Sequence, residues 1–249
     1  MSGKTILVVG GAAGIGKEFV RNRIKKGDKV AFTDLNEDAG LELLKEVNGE
    51  KDQAMFFPHN VTNWENTKAV VDKIMDKFGQ IDVLVHSAGI TNQTAWDDLT
   101  FEQWQKTIDI NLTGLFYSLK AVTPYMLEKK AGNIVIIGSG SAITGSGGGL
   151  HYATSKGGAF GLMRAIAKKY SHQGLTINLV APRVIETDML KKLYPTEESK
   201  KALLEKIPVK KFGTLEDTTN AINFLISEKA KYVQGQVLLL DGGRTYLSS

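Results

Sequence analysis

Seven short apolar runs, separated by helix-length amphipathic segments, constrain this chain more than any other feature of its sequence. The runs lie at Thr5–Val9, Lys29–Thr33, Ala54–Phe57, Ile81–Val85, Asn133–Ile137, Thr176–Val180 and Gln236–Leu240. Stretches such as Ile6-Leu-Val-Val9 and Ile134-Val-Ile-Ile137 do not alternate with polar residues, so both faces of each strand must be covered. Helices packed on both sides of a parallel sheet provide that cover, and the alternation specifies an α/β chain with a doubly wound parallel sheet of about seven strands. Neither a Pro-rich or Gly/Ser linker nor an internal repeat divides the 249 residues, and 1–249 is expected to form a single domain. Only residues 190–212 break the rhythm, with helical pattern and prolines but no strand. Open parallel sheets bind ligands at the C-terminal edge of their strands, so this insertion is expected to serve as a substrate lid.

Composition removes several kinds of chemistry. With no cysteine, disulfides, iron–sulfur clusters, cysteine–zinc sites and thiol nucleophiles are excluded. The four histidines, His59, His86, His151 and His172, form no H-x-x-x-H pair, so no metal is expected. The 31 basic residues are spread along the chain and nearly balanced by 27 acidic ones, for a net charge of +4, which argues against nucleic acid as a partner. No apolar stretch is long enough to span a membrane, and the start runs directly into a strand without an export signal, so a cytoplasmic location is expected.

Between the first strand and the first helix stands Gly10-Gly11-Ala12-Ala13-Gly14-Ile15-Gly16. A glycine-rich turn there brings backbone N–H groups against a pyrophosphate, and the helix N-terminus adds a favourable dipole. The placement marks a Rossmann-type sheet, with Gly10, Gly14, Ile15 and Gly16 at the dinucleotide. Asp34 follows the second strand, where a carboxylate accepts hydrogen bonds from the adenosine ribose. The same charge repels a 2′-phosphate, and Ala13 offers no compensating cation, so NAD is expected over NADP. Farther on, Tyr152 and Lys156 stand four apart in a helical segment and share one face. A phenol titrates near 10, and an adjacent ammonium favours its phenolate.

With Asn111 in Asn-Leu-Thr-Gly114, Ser139, Tyr152-Ala-Thr-Ser-Lys156 and Gly235-Gln-Val-Leu-Leu-Leu-Asp-Gly-Gly243, the chain resembles the short-chain dehydrogenase/reductase family over essentially its whole length. The resemblance implies a catalytic set of Asn111, Ser139, Tyr152 and Lys156. Tyr152 would be the general acid/base, Lys156 would lower its pKa and hold the nicotinamide ribose, and Ser139 would bond the reacting oxygen. Asn111 would kink its helix and hold a relay water. It further implies cofactor contacts from Leu35, Asn60 and Val61, from Ser87, Ala88 and Gly89, and from Pro182, Ile185 and Thr187. Departures are visible. Val9 replaces the usual Thr, Asn60 an Asp, His86-Ser87 the usual Asn-Asn, and Arg183 the Gly after Pro182.

Arg183 at that place suits an anionic small-molecule substrate, and the seven lysines of 190–212 against three glutamates point the same way. The leading expectation is hydride transfer between NAD(H) and a secondary alcohol or ketone: a polyol, sugar or hydroxy acid. A 3-oxoacyl-thioester reductase is the alternative within the family, and a non-catalytic nucleotide-sensing module the alternative outside it. The apolar-faced segments Phe101–Lys130 and Tyr152–Tyr170 resemble family tetramer surfaces, so a homotetramer, or a homodimer, is expected.

Overall fold

The computed structural model describes residues 3–47, 53–186, 190 and 194–247. Seven parallel strands run in the order β3-β2-β1-β4-β5-β6-β7. They are β1 (Thr5–Val9), β2 (Lys29–Asp34), β3 (Ala54–Pro58), β4 (Val83–His86), β5 (Gly132–Ile137), β6 (Leu175–Pro182) and β7 (Val237–Leu240). The helices between them are α1 (Gly14–Lys25), α2 (Glu37–Val47), α3 (Trp64–Phe78), α4 (Phe101–Ile108), α5 (Gly114–Glu128), the short α6 (Ser141–Thr144), α7 (Leu150–Tyr170), α8 (Glu197–Glu205) and α9 (Leu215–Leu225).

The unbroken apolar runs are explained by two cores. In β1, Leu7 and Val9 face a core shared with Val70 and Ile74 of α3, Leu115 and Leu119 of α5, and Met163 of α7. Ile6 and Val8 face the opposite core, with Phe19 and Val20 of α1, Leu43 of α2, and Ile222 and Leu225 of α9. Successive side chains leave a strand on opposite faces, so a strand between two helical layers needs apolar residues at every position. Side chains fix where several helices begin: Asn63 accepts from Asn66 N at α3, and Thr100 and Thr214 form capping boxes with Gln103 and Asp217.

β1 lies between β2 and β4, so the chain leaves β1 toward one side of the sheet and β4 toward the other. The loops diverge there and open a crevice at the C-terminal edge, where ligands of such sheets bind. Among the described residues no helix is long and apolar enough to cross a membrane.

Candidate active site

The glycine-rich turn is pinned to the sheet from both sides. Gly10 N and Gly11 N both donate to Thr33 O on β2 at 2.8 Å, while Ser87 N and Ala88 N both donate to Val9 O at 2.8 and 2.9 Å. Gly14 has φ +51°, a left-handed conformation, and no atom lies within 4 Å of where its Cβ would stand. At Gly16 a Cβ would run into the Gly10 carbonyl oxygen, so only glycine lets α1 pass this close to the turn. Ala13, the N-cap of α1, has no side-chain acceptor, which leaves the first N–H groups of the helix for a ligand. Asp34 braces the turn: its Oδ2 accepts from Ala12 N and its Oδ1 from Asn36 N, both at 3.1 Å.

Ser139, Tyr152 and Lys156 meet at the end of β5. Ser139 is buried just beyond the strand, and its Oγ accepts from Ser141 N at 3.1 Å. The first turns of α7 carry the other two, one turn apart. Lys156 Nζ donates to Ile137 O at 2.9 Å and stands 5.8 Å from the centroid of the Tyr152 ring. Burial strips water from the ammonium and pulls its pKa down to about 8. Burial also pushes the Tyr152 phenol up, against a smaller lowering from the Ser139 hydroxyl. This direction is opposite to the one the resemblance implies. Desolvation of the phenol outweighs its hydrogen bond with Ser139, and the shift favours the protonated form.

Asn111 stands behind this group in a π-helical turn, Asp109–Thr113, that interrupts the helix expected over Phe101–Lys130 and separates α4 from α5. Such bulges turn a side chain out of helical register and recur at functional sites. Its Oδ1 accepts from Ile90 N at 2.8 Å, and its Nδ2 donates to Ile90 O at 2.9 Å and Ser155 Oγ at 3.0 Å. A Cβ on Gly89 would lie 3.2 Å from both Asn111 Oδ1 and Lys156 Nζ. The amide thus holds the strand-end turn against the lysine.

One cavity of about 710 Å³ joins these parts. Gly10, Gly14, Ile15, Asp34, Leu35, Asn60 and Val61 line one end; Ser139, Tyr152, Lys156, Pro182, Arg183 and Ile185 line the other. Ser87, Ala88 and Gly89 also line it. Gly16 and Asn111 support its wall from behind, and Thr187 lies outside the described residues. Asn60 Oδ1 is occupied by Thr62 N and Thr62 Oγ1, at 3.1 and 2.8 Å. His86 is buried among the strands with neither ring nitrogen partnered among the described residues, and burial holds its pKa down to about 3. His59 bridges Thr33 and Thr67 through its two nitrogens, at 3.0 and 2.9 Å.

Sequence reasoning missed Arg244, Tyr194, Ser146 and Gly148, which also line the cavity. A signal existed for the last two in the run Gly145-Ser-Gly-Gly-Gly149, whose four glycines all have positive φ. The 190–212 segment does reach the cavity, but through Leu190 and Tyr194. No described lysine of that segment lines it: Lys200 and Lys210 pair with Glu197 and Glu205 on the solvent side. The charge of the described lysines is therefore not directed at the site, and Lys191 and Lys192 lie outside the described residues.

The donor set fits a dinucleotide. Open backbone at Gly14, a bare helix N-terminus, a fixed carboxylate at Asp34 and a Ser/Tyr/Lys group lie along one cavity at the switch point of a doubly wound sheet. This defines a dinucleotide-dependent oxidoreductase. A family model described as enoyl-(acyl carrier protein) reductase matches residues 10–245. The 3-oxoacyl-[acyl-carrier-protein] reductase of Thermotoga maritima is 37% identical over 243 residues, covering 98% of each chain. That of Escherichia coli is 34% identical over 241 residues, 97% of each, and that of Haemophilus influenzae 35% identical over 248 residues, all of each. Among solved structures, levodione reductase superposes with a TM-score of 0.92 at 28% identity, covering 98% of each chain, and gox2181 with 0.92 at 31%, covering 98% of this chain and 96% of that one. The chain belongs to the short-chain dehydrogenase/reductase family, whose members act on C=O and CH–OH groups with a nicotinamide cofactor.

Proposed function

We propose that this chain reduces the ketone of a 3-oxoacyl substrate with NADH. The observation that carries the reading is the meeting of Ser139, Tyr152 and Lys156 in one cavity, where burial shifts the phenol toward its protonated form. A carbonyl accepting hydride needs a proton at its oxygen, and a phenol kept protonated by burial supplies one. The bound nicotinamide provides the hydride. Tyr152 donates to the developing alkoxide, Ser139 orients the carbonyl oxygen, and Lys156 steadies the phenol and the cofactor ribose. Asn111 acts as a positioning residue, holding the Gly89–Ile90 turn and Ser155 so that Lys156 keeps its place.

The names of the relatives support a 3-oxoacyl substrate over the polyol or sugar expected from the sequence. The non-catalytic alternative loses its footing once the chain stands in an enzyme family with its reacting groups assembled. Asp34 supports NAD over NADP, because its carboxylate stands on the cavity wall at the end of β2. In the same reading the chain works as one domain in the cytoplasm, residues 190–212 form the lid, and Phe101 and Phe116, exposed on α4 and α5, contribute to a homotetramer.

Initial rates with 3-oxoacyl thioesters, 3-oxo esters, polyols and sugars against NAD(H) and NADP(H) test this reading. Efficient reduction of 3-oxoacyl compounds is expected. Turnover confined to polyols or sugars would overturn it, and size-exclusion chromatography with light scattering checks the tetramer.

A further inference from the structure

The substrate end of the cavity carries two arginines that neither the hydride nor the proton step uses. Arg183 follows Pro182 at the end of β6. Its stem packs over Gly140, where a Cβ would come within 3.0 Å of Arg183 Cδ, one residue beyond Ser139. Its guanidinium donates to Thr245 Oγ1 at 3.0 Å and to Ser146 Oγ at 2.9 Å. Ser146 belongs to the glycine-rich turn before α7, and two residues later a Cβ on Gly148 would strike the Tyr152 ring. The guanidinium is thus fixed a short turn from the reacting phenol. The next residue, Val184, has φ +61°. A β-branched residue in the left-handed region is strained, and such strain persists where the surroundings over-determine the backbone.

A guanidinium has five N–H donors, and among the described residues Ser146 and Thr245 take two of them. Arg244 lines the same cavity, and its charge, after burial, is a cause of the lowered pKa of Arg183. The nearby carboxylate, Asp241, is already bound by Gly243 N at 2.9 Å and Thr245 N at 2.7 Å. Among the described residues no carboxylate oxygen comes within 4.0 Å of the Arg183 guanidinium. A partly buried cation whose bonds go only to neutral hydroxyls is stabilised by an anion, and an arginine fork fits a carboxylate with two parallel bonds.

We propose that Arg183 grips the free carboxylate of a short substrate whose ketone or hydroxyl meets Ser139 and Tyr152, with Arg244 on the same cavity wall adding to the positive potential. The substrate class is then a 3-oxo or 3-hydroxy acid rather than its thioester; this rests on the 3-oxoacyl reading above. Ser146 and Thr245 orient the fork before the ligand arrives, which lowers the entropy lost on binding.

The test compares acetoacetate, its methyl ester and acetoacetyl-coenzyme A as substrates for the wild type, Arg183→Ala, Arg183→Gln, Arg183→Lys and Arg244→Ala. In parallel, calorimetry measures binding of 3-hydroxybutyrate to protein saturated with NADH, a pair that cannot react. Acetoacetate is expected to be the best substrate of the wild type. Arg183→Ala and Arg183→Gln should reduce the acid-to-ester ratio of kcat/KM about tenfold or more and weaken 3-hydroxybutyrate binding similarly. Arg244→Ala should shift both the same way, and Arg183→Lys should recover only part, because an ammonium lacks the planar fork. Gln keeps a donor for the two hydroxyls while removing the charge, so it separates a lost grip from a lost fold. Equal losses for acid and ester, or a weakened NADH affinity with an unchanged ratio, would overturn the proposal. If the ester and thioester are reduced with no preference for the acid, the carboxylate grip is wrong and the 3-oxoacyl reading stands. If no 3-oxo compound is reduced while 3-hydroxybutyrate binds in an Arg183-dependent way, the 3-oxoacyl reading falls and the grip stands. If neither happens, both fall.

Discussion

Removing the charge at Asp34 should change which dinucleotide the enzyme uses. The carboxylate has about four lone-pair sites, and Ala12 N and Asn36 N occupy two, so two remain for ribose hydroxyls. Two unit charges about 5 Å apart at an effective dielectric of about 20 repel by roughly 3 kcal/mol. The cleft is partly open to water and salt, so about half of that survives, roughly 1.4 kcal/mol, or about tenfold in kcat/KM. Wild-type protein should therefore favour NADH over NADPH by tenfold or more. Asp34→Asn keeps one acceptor oxygen without the charge, and should raise the efficiency with NADPH while lowering that with NADH modestly. Asp34→Ala also frees the Ala12 and Asn36 amides, at about 1 kcal/mol in ordering of the turn, so its narrowed ratio should come mainly from weaker NADH binding. Initial rates with both cofactors, and fluorescence titrations of each Kd, measure these effects. Equal use of both cofactors by the wild type, or an unchanged ratio in Asp34→Asn, would refute the reasoning.

Tyr152→Phe should lower kcat by about 10²- to 10⁴-fold with NADH affinity and thermal midpoint nearly unchanged, since only the proton-donating hydroxyl is lost; fluorescence titration and calorimetry beside the kinetics check this. Lys156, pulled down to about 8 by burial, loses its proton as pH rises through that value, so kcat/KM should fall above about pH 8, and Lys156→Met should abolish that break along with much of the rate and NADH affinity. His59 and His86 are held down to about 4 and about 3 from an ordinary 6.5. The unfolded chain takes up protons below 6.5 that the folded chain refuses, so stability should fall from pH 7 to pH 5, by at most about 2 kcal/mol per histidine. Urea midpoints at the two pH values measure the fall, and His86→Asn should remove part of it.

The seven strands were legible because a strand buried on both faces leaves an unbroken apolar run, a pattern that depends on local sequence alone. Their ends were less so: Ile81 is buried but precedes β4, which runs from Val83 to His86. The segment Phe101–Lys130 reads as one amphipathic helix, and nothing in its periodicity announces the π-helical turn at Asn111, which the side-chain bonds to Ile90 and Ser155 hold in place. Most of the candidate site was readable because turns at strand ends draw on few residue types. Arg244 was not. It reaches the cavity only because β7 pairs with β6 and carries the turn after Asp241 to the end of the neighbouring strand, a relation between residues about sixty positions apart. The state of Tyr152 was not readable either. Spacing puts an ammonium near the phenol, but how much water each loses depends on the folded cavity, and here that loss decides the direction.

The parallel sheet also decides how the two charged selectors relate. Asp34 ends β2 and Arg183 follows β6, and in the strand order β1, β4 and β5 lie between them. At about 4.8 Å per strand spacing, four steps put the strand ends roughly 19 Å apart, well beyond the 7–10 Å within which substitutions usually couple. Asp34 bonds to Ala12 and Asn36, Arg183 to Ser146 and Thr245, so among the described residues they share no hydrogen-bond partner through which a shift could pass. The losses in kcat/KM with NADH and acetoacetate caused by Asp34→Asn and Arg183→Gln should therefore add, as free energies, to within about 0.5 kcal/mol in the double variant. A clear excess or shortfall in that cycle would mean that occupation of one end of the cavity reshapes the other, and that cofactor choice and substrate choice are set together rather than strand by strand.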